Sequence, residues 1–569
     1  MLRQITGLVA TTLALVTTIS SPFSSRAAFA QSRWFADRPV AWEEHDDEHV
    51  ERAPAPTHLQ DLDQALLLRD SIANEIERVL SLDVGRPAED INALDEVPCS
   101  TWFCPRNHLR PMTPLEVAAG PPGTPPRLPL SISKGKEGGA ASGFQVRDAD
   151  GRKYMLKFDP VGHPGMASGA EMVGERLFHA AGYNVAGSYL LDLDPSDLRL
   201  SPQATFRLYE VQPRPLTEHI VREQLSRAAR SPSGRIRAVA VPWIPGGILG
   251  GYDNIGRRKD DPNDRIPHER RRSLRASWVL FAWLGEFDPS SKNSIDSYVE
   301  EGGRRFVRHY VLDFGTTLGS ATNSPKPPQR TGEYLIEVGR TLAAWASFGL
   351  YRRPFQDDRA DWDATVARLP AAGWFPAEDF DPDAFRTNRK VPSHARRTDR
   401  DLYWGAKVVT SFSDAQITAV VATGSFPETD RAYLEHALRV RRDIIGRRYL
   451  RAMTALEAPV LSAGGDRLCF QDLAIARGYA RRADVRYQIE ATDGYGNVVA
   501  ASEQPAAGLN TCVPIGAVTP STGYRIVSVR ARLAADERAR AAVAKVSRVH
   551  LRWREGEGRY VVVGLERDE

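Results

Sequence analysis

Cysteine is scarce in this chain, which contains only four in 569 residues. No further His or Cys pair is spaced to complete a zinc site with them, so a structural zinc centre is not expected. An excess of charge of one sign is also lacking, because 75 Lys and Arg nearly balance 72 Asp and Glu. The resulting net charge of +3 gives no general case for binding to nucleic acid or to a membrane surface.

Long apolar runs are absent after residue 30, so the sequence predicts no membrane-spanning segment beyond the N-terminus. The N-terminus carries Arg3, an apolar run over residues 5–19, and then Ala28-Phe29-Ala30. This order of charged, apolar and small residues is typical of a secretory signal peptide. We therefore predict an exported protein, periplasmic or extracellular, that is cleaved after about Ala30. An uncleaved anchor is the weaker alternative, because the run is short for a bilayer and contains several threonines.

The four cysteines group by position into Cys99 with Cys104 and Cys469 with Cys512. An even number of cysteines in an exported chain favours disulfides over metal ligation. We predict these two disulfides, with free thiols as the main alternative.

The length predicts two or three domains, and the order of patterns predicts an α+β protein. In residues 31–126, an acidic leader precedes an amphipathic helix that Thr57 would cap and that should pack on the following domain. Strands dominate residues 127–247, helices dominate 248–458, and short alternating strands in 459–569 predict a small all-β domain.

A spaced set of acidic and amide residues is the strongest chemical signal in the chain. Asp288 is followed five residues later by Asn293, and Asp313-Phe314-Gly315 comes directly after a short strand. Phosphoryl transfer needs one Asp to orient the attacking hydroxyl, and an Asn and a second Asp to hold Mg²⁺ on the phosphates. Kinases supply these residues in this order, so the set predicts a kinase-type fold.

Lys157 is a lone cation between Leu156 and Phe158 on a predicted third strand. A buried lysine needs a counter-charge, and the helix predicted next offers Glu171 and Glu175, one turn apart on the same face. We predict an ion pair between Lys157 and one of these glutamates. The alternative is that Lys157 extends to solvent and that both glutamates are exposed.

Two further stretches are candidates for contacts with a nucleotide. The glycine-rich turn with Gly138, Gly139 and Gly143 could place backbone N–H groups over phosphates, although such a turn is weak evidence by itself. Trp243 precedes a predicted hinge, where an adenine edge would meet backbone groups.

Two runs are dense in charge. Residues 257–275 predict a solvated face, with a phosphate or acidic-substrate contact as the alternative, and residues 439–448 predict an exposed basic helix face.

These motifs resemble the atypical protein-kinase-like superfamily, near its phosphoinositide 3/4-kinase and HipA-type branch. Residues 313–319 resemble the D-F-G-x-x-L-G of phosphoinositide kinases, and residues 288–293 are similar to the D-x-x-x-K-N of the HipA-type catalytic loop. Residues 171–183 resemble that branch's helical Glu segment, which favours Glu171 over Glu175. The wider sequence resembles a group of uncharacterised exported bacterial proteins of this kind.

The resemblance covers roughly residues 127–456 and implies a two-lobed kinase-like fold with an N-terminal helical extension. It implies that Lys157 holds nucleotide phosphates, Glu171 fixes Lys157, and Asp288 is the catalytic base. It also implies that Asn293 and Asp313 bind Mg²⁺ or Mn²⁺ with ATP. The chain departs from protein kinases at Glu286-Phe287, which precede the base in place of His-Arg, and at its glycine loop.

Two functional hypotheses follow. The first is an exported kinase-like phosphotransferase whose acceptor is a protein, lipid, glycan or small molecule. The second is a catalytically inactive pseudokinase that serves as a binding or structural protein of the periplasm or cell surface.

Overall fold

The computed structural model describes residues 35, 40–59, 63–80, 85–135, 142–207, 212–348, 350–516, 523–533 and 544–569. Nearly all of them belong to the larger of two units, Asp37–Glu569, and the fold is that of this unit. The predicted signal peptide, Gly138 and Gly139 lie outside the described residues, so those predictions stay open. The predicted domain boundaries at residues 126, 247 and 458 also stay predictions.

A mixed sheet of seven strands is the first large element. Buried side chains recur along its first three strands with a period near two, as expected for strands that place one face on a core. The strands are β1 (Leu130–Gly135), β2 (Gly143–Arg147), β3 (Lys153–Phe158), β4 (Tyr189–Leu193), β5 (Leu198–Phe206), β6 (Arg214–Pro215) and β7 (Ile236–Pro242). Their order is β4-β7-β3-β2-β1-β5-β6, and all neighbours are antiparallel except β1 and β5. Nothing in the sequence pattern predicts β5.

Most of the α-helices in the described residues lie between residues 166 and 445. In the described residues the α-helices are α1 (Asp63–Leu68), α2 (Asn74–Leu80), α3 (Pro114–Ala119), α4 (Met166–Ala181), α5 (Glu218–Ser226), α6 (Arg272–Arg275), α7 (Ser277–Leu284), α8 (Val338–Ala346), α9 (Arg359–Arg368), α10 (Pro392–Ala395), α11 (Asp399–Val409), α12 (Asp414–Thr423), α13 (Glu428–Ile445) and α14 (Leu473–Ala476). Every residue of α7 is buried, as expected of a helix that is apolar on all sides. Helices α4, α7, α11 and α13 share one apolar core.

Three smaller sheets complete the fold. The strands β8 (Gly247–Gly250), β9 (Ser294–Glu301) and β10 (Arg304–Val311) form one of them, in the order β10-β9-β8. The C-terminal strands are β11 (Leu456–Leu461), β12 (Arg467–Asp472), β13 (Val485–Asp493), β14 (Val498–Pro505), β15 (Asn510–Pro514), β16 (Tyr524–Leu533), β17 (Ser547–Arg554) and β18 (Arg559–Arg567). They form the sheets β11-β12-β15 and β14-β13-β16-β17-β18, which share a core of their own. The predicted α+β class is confirmed.

Both predicted disulfides, Cys99–Cys104 and Cys469–Cys512, are present. The second joins paired residues on β12 and β15. Disulfides are compatible with an exported protein. Across the described residues, no helix is both long enough and apolar enough to cross a membrane.

The predicted amphipathic helix is present as α1 and α2, which a π-helical turn at Arg69–Ala73 joins. It contacts the region that follows, as predicted, but much of its apolar face is exposed. Leu66 is buried, whereas the apolar side chains of Leu68, Ile72, Ile76 and Leu80 are exposed. Two ion pairs join the helix to the rest of the protein. Arg69 pairs with Asp253 at 2.6 Å, and Glu75 with Lys390 at 3.4 Å.

The predicted solvated face at residues 257–275 is wrong for the arginines at its end, whereas Arg257, Lys259 and Asp260 are exposed as predicted. Arg271 and Arg272 are fully buried, and Arg275 is 2% exposed. Each has a carboxylate partner: Arg271 pairs with Glu44 at 3.1 Å, Arg272 with Asp401 at 3.1 Å, and Arg275 with Asp401 at 3.5 Å. These partners come from other segments of the chain, so the charge run itself does not reveal them.

The predicted basic helix face at residues 439–448 is wrong at Arg441, which is 4% exposed. Its guanidinium lies 3.7 Å from the ring centroid of Phe380 and donates to the Trp283 carbonyl at 2.9 Å. Arg441 therefore anchors α13 to the end of α7.

Asp95 lies at the centre of a buried ionic network. Its carboxylate accepts hydrogen bonds from Arg272 at 2.7 Å, from Arg400 at 2.7 Å and from Arg567 at 2.5 Å. These arginines lie on α6, α11 and β18, so one carboxylate ties the N-terminal segment to the helical region and to the last strand. Burial alone would raise the pKa of Asp95, but the three guanidinium groups outweigh it and hold that pKa well below its usual range.

We expect Asp95→Asn to lower the free energy of unfolding by about 3–5 kcal/mol at pH 7, because three buried arginines lose a shared counter-charge. A carboxylate with a depressed folded pKa stabilises fully above its unfolded pKa of about 4 and less as pH falls. The difference from wild type should therefore shrink below about pH 4. Urea unfolding at several pH values measures it, with Asp192→Asn in the exposed Asp192–Arg235 pair as the control. Equal effects of the two substitutions would contradict this role of Asp95.

Candidate functional site

Lys157 lies on β3, near the middle of the large sheet. Residues on either side of it, Leu156 and Phe158, are buried in the core beneath the sheet. The side chain of Lys157 points to the opposite face and is 13% exposed. Its Nζ lies 3.0 Å from Glu171 Oε2 and 2.8 Å from Asp313 Oδ1. The predicted ion pair with Glu171 is thus present, and Asp313 is a second partner.

Helix α4 positions Glu171. The buried carboxylate of Asp159 holds the start of this helix by accepting from the Gly165 and Ser168 backbone N–H groups, each at 2.8 Å. One turn after Glu171, Glu175 is buried and accepts from the Gly187 and Ser188 backbone instead. Glu175 therefore fixes the loop before β4, and Glu171 is the glutamate that faces Lys157.

Asp313 follows β10 and adopts the left-handed backbone conformation, with φ of 62°. This conformation is uncommon outside glycine and turns the chain sharply at the end of the strand. Phe314–Thr316 forms a short 3₁₀ turn directly afterwards, in which Phe314 is buried against Phe178 of α4. The Asp313 carboxylate, 40% exposed, thus faces both Lys157 and solvent.

The loop from Asp288 to Asn293 lies beside the end of β10. The Leu312 N–H donates to the Asn293 carbonyl at 2.9 Å, which places Asn293 next to Asp313. Within the loop, Asn293 Nδ2 donates to the Asp288 carbonyl at 2.7 Å. The predicted residues Lys157, Glu171, Asp288, Asn293 and Asp313 therefore lie along one connected set of contacts.

The electrostatics of the site follow from burial and from a surplus of carboxylates. Burial alone would lower the pKa of Lys157, but Asp313 and Glu171 outweigh it and raise that pKa above its usual value. Burial raises the pKa of Glu171 to about 7, with Asp313 adding to the shift. Burial also raises the pKa of Asp288, and the hydrogen bond from Asn388 partly offsets this rise.

Three neighbours of Asp288 are absent from the predicted set. Asn388 Nδ2 donates to Asp288 Oδ1 at 3.1 Å, and Arg330 in turn donates to Asn388 Oδ1 at 2.6 Å. Glu286 Oε1 accepts from the Asp288 N–H at 2.8 Å and from Thr316 Oγ1 at 2.5 Å. No local motif marks Asn388, which is 100 residues from Asp288. The only sequence signal at Glu286 is that Glu286-Phe287 stands where protein kinases have His-Arg before the catalytic base.

Of the residues predicted to contact a nucleotide, Gly143 lies next to Lys157, and Trp243 lies just after the end of β7. Gly143 opens β2 and pairs directly with Lys157 on β3, so its backbone lies beside the site. Trp243 follows β7, is 43% exposed, and has the Lys153 ammonium 5.9 Å from its ring centroid. The role of Trp243 in binding a nucleotide stays a prediction.

The oxygen donors fit a hard divalent cation only in part. The side-chain amide of Asn293 donates a hydrogen bond through Nδ2, so its Oδ1 is the oxygen that could bind a metal ion. Asp313 supplies a carboxylate. Within the described part of the chain, no cluster of three or more His, Cys, Asp or Glu side chains is placed to hold a metal ion. Mg²⁺ prefers one or two carboxylates together with phosphate oxygens and waters, so this pair fits a metal that arrives with a nucleotide.

Comparisons with known proteins are sparse. No protein-family model and no curated protein matches the chain. The crystal structure of the Helicobacter pylori proinflammatory kinase CtkA is 13% identical, with a TM-score of 0.29, and the match covers 56% of this chain and 95% of that one. The Golgi casein kinase with Mn/ADP bound is 10% identical, with a TM-score of 0.28, over 68% of this chain and 88% of that one. Neither superposition is close enough to support an inference about this chain.

Lys157→Met should lower the free energy of unfolding by about 3 kcal/mol at pH 8, because Glu171 then lies buried without a cation. The folded pKa of Glu171 is about 7, against 4.5 for the unperturbed group, and losing Lys157 raises it further. A carboxyl whose folded pKa is raised destabilises the fold increasingly as pH rises above its unfolded pKa. The loss should therefore be smaller at pH 5 than at pH 8, as measured by urea unfolding.

The matched control is Lys153→Met, which removes an exposed lysine from the same strand. A Lys157→Met protein that unfolds like this control at both pH values would show that Glu171 does not depend on Lys157.

Proposed function

We propose that the protein binds a nucleotide with Mg²⁺ or Mn²⁺ beside β3 and transfers phosphate to an acceptor hydroxyl. The observation that carries this proposal is the position of Lys157 Nζ between Glu171 at 3.0 Å and Asp313 at 2.8 Å. A strand lysine fixed by a helical glutamate, next to a metal-binding aspartate, is how kinases position nucleotide phosphates.

The residues divide into three tasks in this proposal. Lys157, held by Glu171, contacts the phosphates, and the Gly143 backbone lies beside it. Asn293 and Asp313 hold the metal ion through side-chain oxygens. When bound, the metal supplies neutralisation of the charge on the phosphates.

Asp288 is the proposed general base. Its carboxylate accepts the proton of the acceptor hydroxyl as that oxygen attacks the terminal phosphate, and the nucleoside diphosphate leaves with the bridging oxygen. A raised pKa makes Asp288 a better proton acceptor than an exposed aspartate, and burial is the cause of that shift. The acceptor class, whether protein, lipid, glycan or small molecule, is open.

A nucleotide-binding protein without turnover is the second candidate, and one observation favours it. Both carboxylate oxygens of Asp288 accept amide hydrogen bonds, from Asn388 at 3.1 Å and from Asn293 at 3.5 Å. Amide donors stabilise a carboxylate and weaken it as a base. The two candidates share the nucleotide site and differ only in the chemical step.

Two aspartate substitutions separate these candidates. Asp313→Ala should remove the Mg²⁺-dependent part of ATP binding, because it removes the carboxylate ligand. Asp288→Ala should bind Mg-ATP nearly as well as wild type but lose turnover by roughly 10²–10⁴-fold, since a general base acts only in the chemical step. Thermal shift with ATP, with and without Mg²⁺ or Mn²⁺, measures binding, and phosphate transfer or ATP hydrolysis measures turnover.

Asp363→Ala, at an exposed carboxylate on α9, is the control for general effects of losing an aspartate. Wild type that binds Mg-ATP but turns over no faster than Asp288→Ala would favour the second candidate. Wild type that binds no nucleotide with either metal would contradict the site assignment itself.

A further inference from the structure

Glu286 is a buried acid directly behind the proposed catalytic base. It follows the end of α7, where Gly285 adopts the left-handed conformation, and it is 3% exposed. The proposed function gives it no task. A buried carboxyl group is costly unless it is hydrogen-bonded, so its contacts indicate what it does.

One oxygen of Glu286 joins two separate segments of the site. Oε1 accepts from the Asp288 backbone N–H at 2.8 Å, at the start of the loop that carries Asp288 and Asn293. The same oxygen accepts from Thr316 Oγ1 at 2.5 Å, in the turn that follows Asp313. The proposed base and a proposed metal ligand are therefore tied to one another through a single atom of Glu286.

The other oxygen, Oε2, is buried and has no hydrogen-bond partner among the described residues. Glu286 and His394 both line a cavity of about 30 Å³, and His394 Nδ1 is likewise buried without a partner in the described residues. A cavity of this size has room for a water molecule. Because no donor among the described residues reaches Oε2, a negative charge there would cost more than a neutral hydroxyl, which favours the protonated form.

The charged groups near Glu286 agree with the protonated form. Asp288 opposes ionisation of Glu286, and burial raises the pKa of Glu286 to about 8 despite the hydrogen bond from Thr316. The charge of Lys326 favours ionisation of Glu286, but Lys326 donates to the Gly285 carbonyl at 2.7 Å, and burial together with Arg441 lowers its own pKa. His394 is buried, and burial lowers its pKa to about 3.

We propose that Glu286 is a positioning residue that acts as a neutral acid and holds the Asp288 loop in register with the Asp313 turn. The proposal rests on the proposed function for its effect on turnover, but the coupling of the two segments is independent of it. Glutamine reproduces the acceptor oxygen and the neutral charge of such an acid, whereas alanine is neutral but removes the acceptor oxygen.

The test compares Glu286→Gln with Glu286→Ala in the full chain. Glu286→Ala should lower kcat by roughly 10–100-fold, the usual effect of removing a group that orients a site residue, with KM for ATP changed less than about 3-fold. Glu286→Gln should keep kcat within about 3-fold of wild type. Hydrogen–deuterium exchange should show faster exchange in both the 287–293 and 314–317 segments of Glu286→Ala, and wild-type exchange in Glu286→Gln.

Neighbouring threonines provide a matched pair for a double-mutant cycle. Thr316→Val removes the hydroxyl that bonds Glu286, so its effect on exchange should be lost when Glu286 is already alanine. Thr317→Val removes the adjacent buried hydroxyl, which donates to the Phe314 and Ala170 carbonyls and not to Glu286, so its effect should combine independently with that of Glu286→Ala.

Unchanged exchange in both segments of Glu286→Ala would overturn the proposal. So would an active enzyme in which Glu286→Gln loses as much turnover as Glu286→Ala. If wild type shows no turnover at all, the proposed function fails, and the exchange measurements still decide whether Glu286 couples the two segments.

Discussion

The burial of one lysine charge constrains the geometry of the whole site. Lys157 must lie on β3 with its ammonium turned away from the apolar core, and that ammonium needs carboxylates within hydrogen-bonding distance. Glu171 meets this need because Asp159 fixes the start of α4, and Asp313 meets it because a left-handed residue ends β10. A strand, a helix and a turn from separate parts of the chain therefore converge on one nitrogen atom.

Buried polar groups act as connectors elsewhere in the protein too. Asp95 joins arginines from α6, α11 and β18, and Glu286 joins the Asp288 loop to the turn after Asp313. In each case one carboxyl group accepts from donors far apart in sequence, so losing it would leave several groups unsatisfied at once. The protein uses such connectors where apolar packing alone would leave the relative position of segments less well defined.

The chemistry open to the site depends on how these carboxyl groups share protons. Glu171 and Glu286 are buried with raised pKa values, whereas Asp313 pairs with a lysine and stays partly exposed. As a neutral acid, Glu286 can position its neighbours without adding negative charge where a nucleotide would bring its own, whereas Glu171 serves as the counter-charge of Lys157. Asp288 is buried, which raises its pKa, but it also accepts hydrogen bonds from the amides of Asn293 and Asn388, which lower it. The strength of these hydrogen bonds determines whether Asp288 acts as a base.

Local sequence patterns were enough to predict the strand with Lys157, the helix with Glu171 and both disulfides, because their signals lie within short stretches. They were also enough to choose the residues Asp288, Asn293 and Asp313, through spacing and resemblance. Only the tertiary structure decided which groups meet across long separations: Asn388 with Asp288, Arg272 with Asp95, and β5 beside β1. It also decided burial, since several arginines of residues 257–275 are buried and several apolar side chains of α1 and α2 are exposed, opposite to where their patterns place them. A run of residues specifies its own periodicity and charge, but its partners come from other segments, and those partners determine whether a charge can be buried.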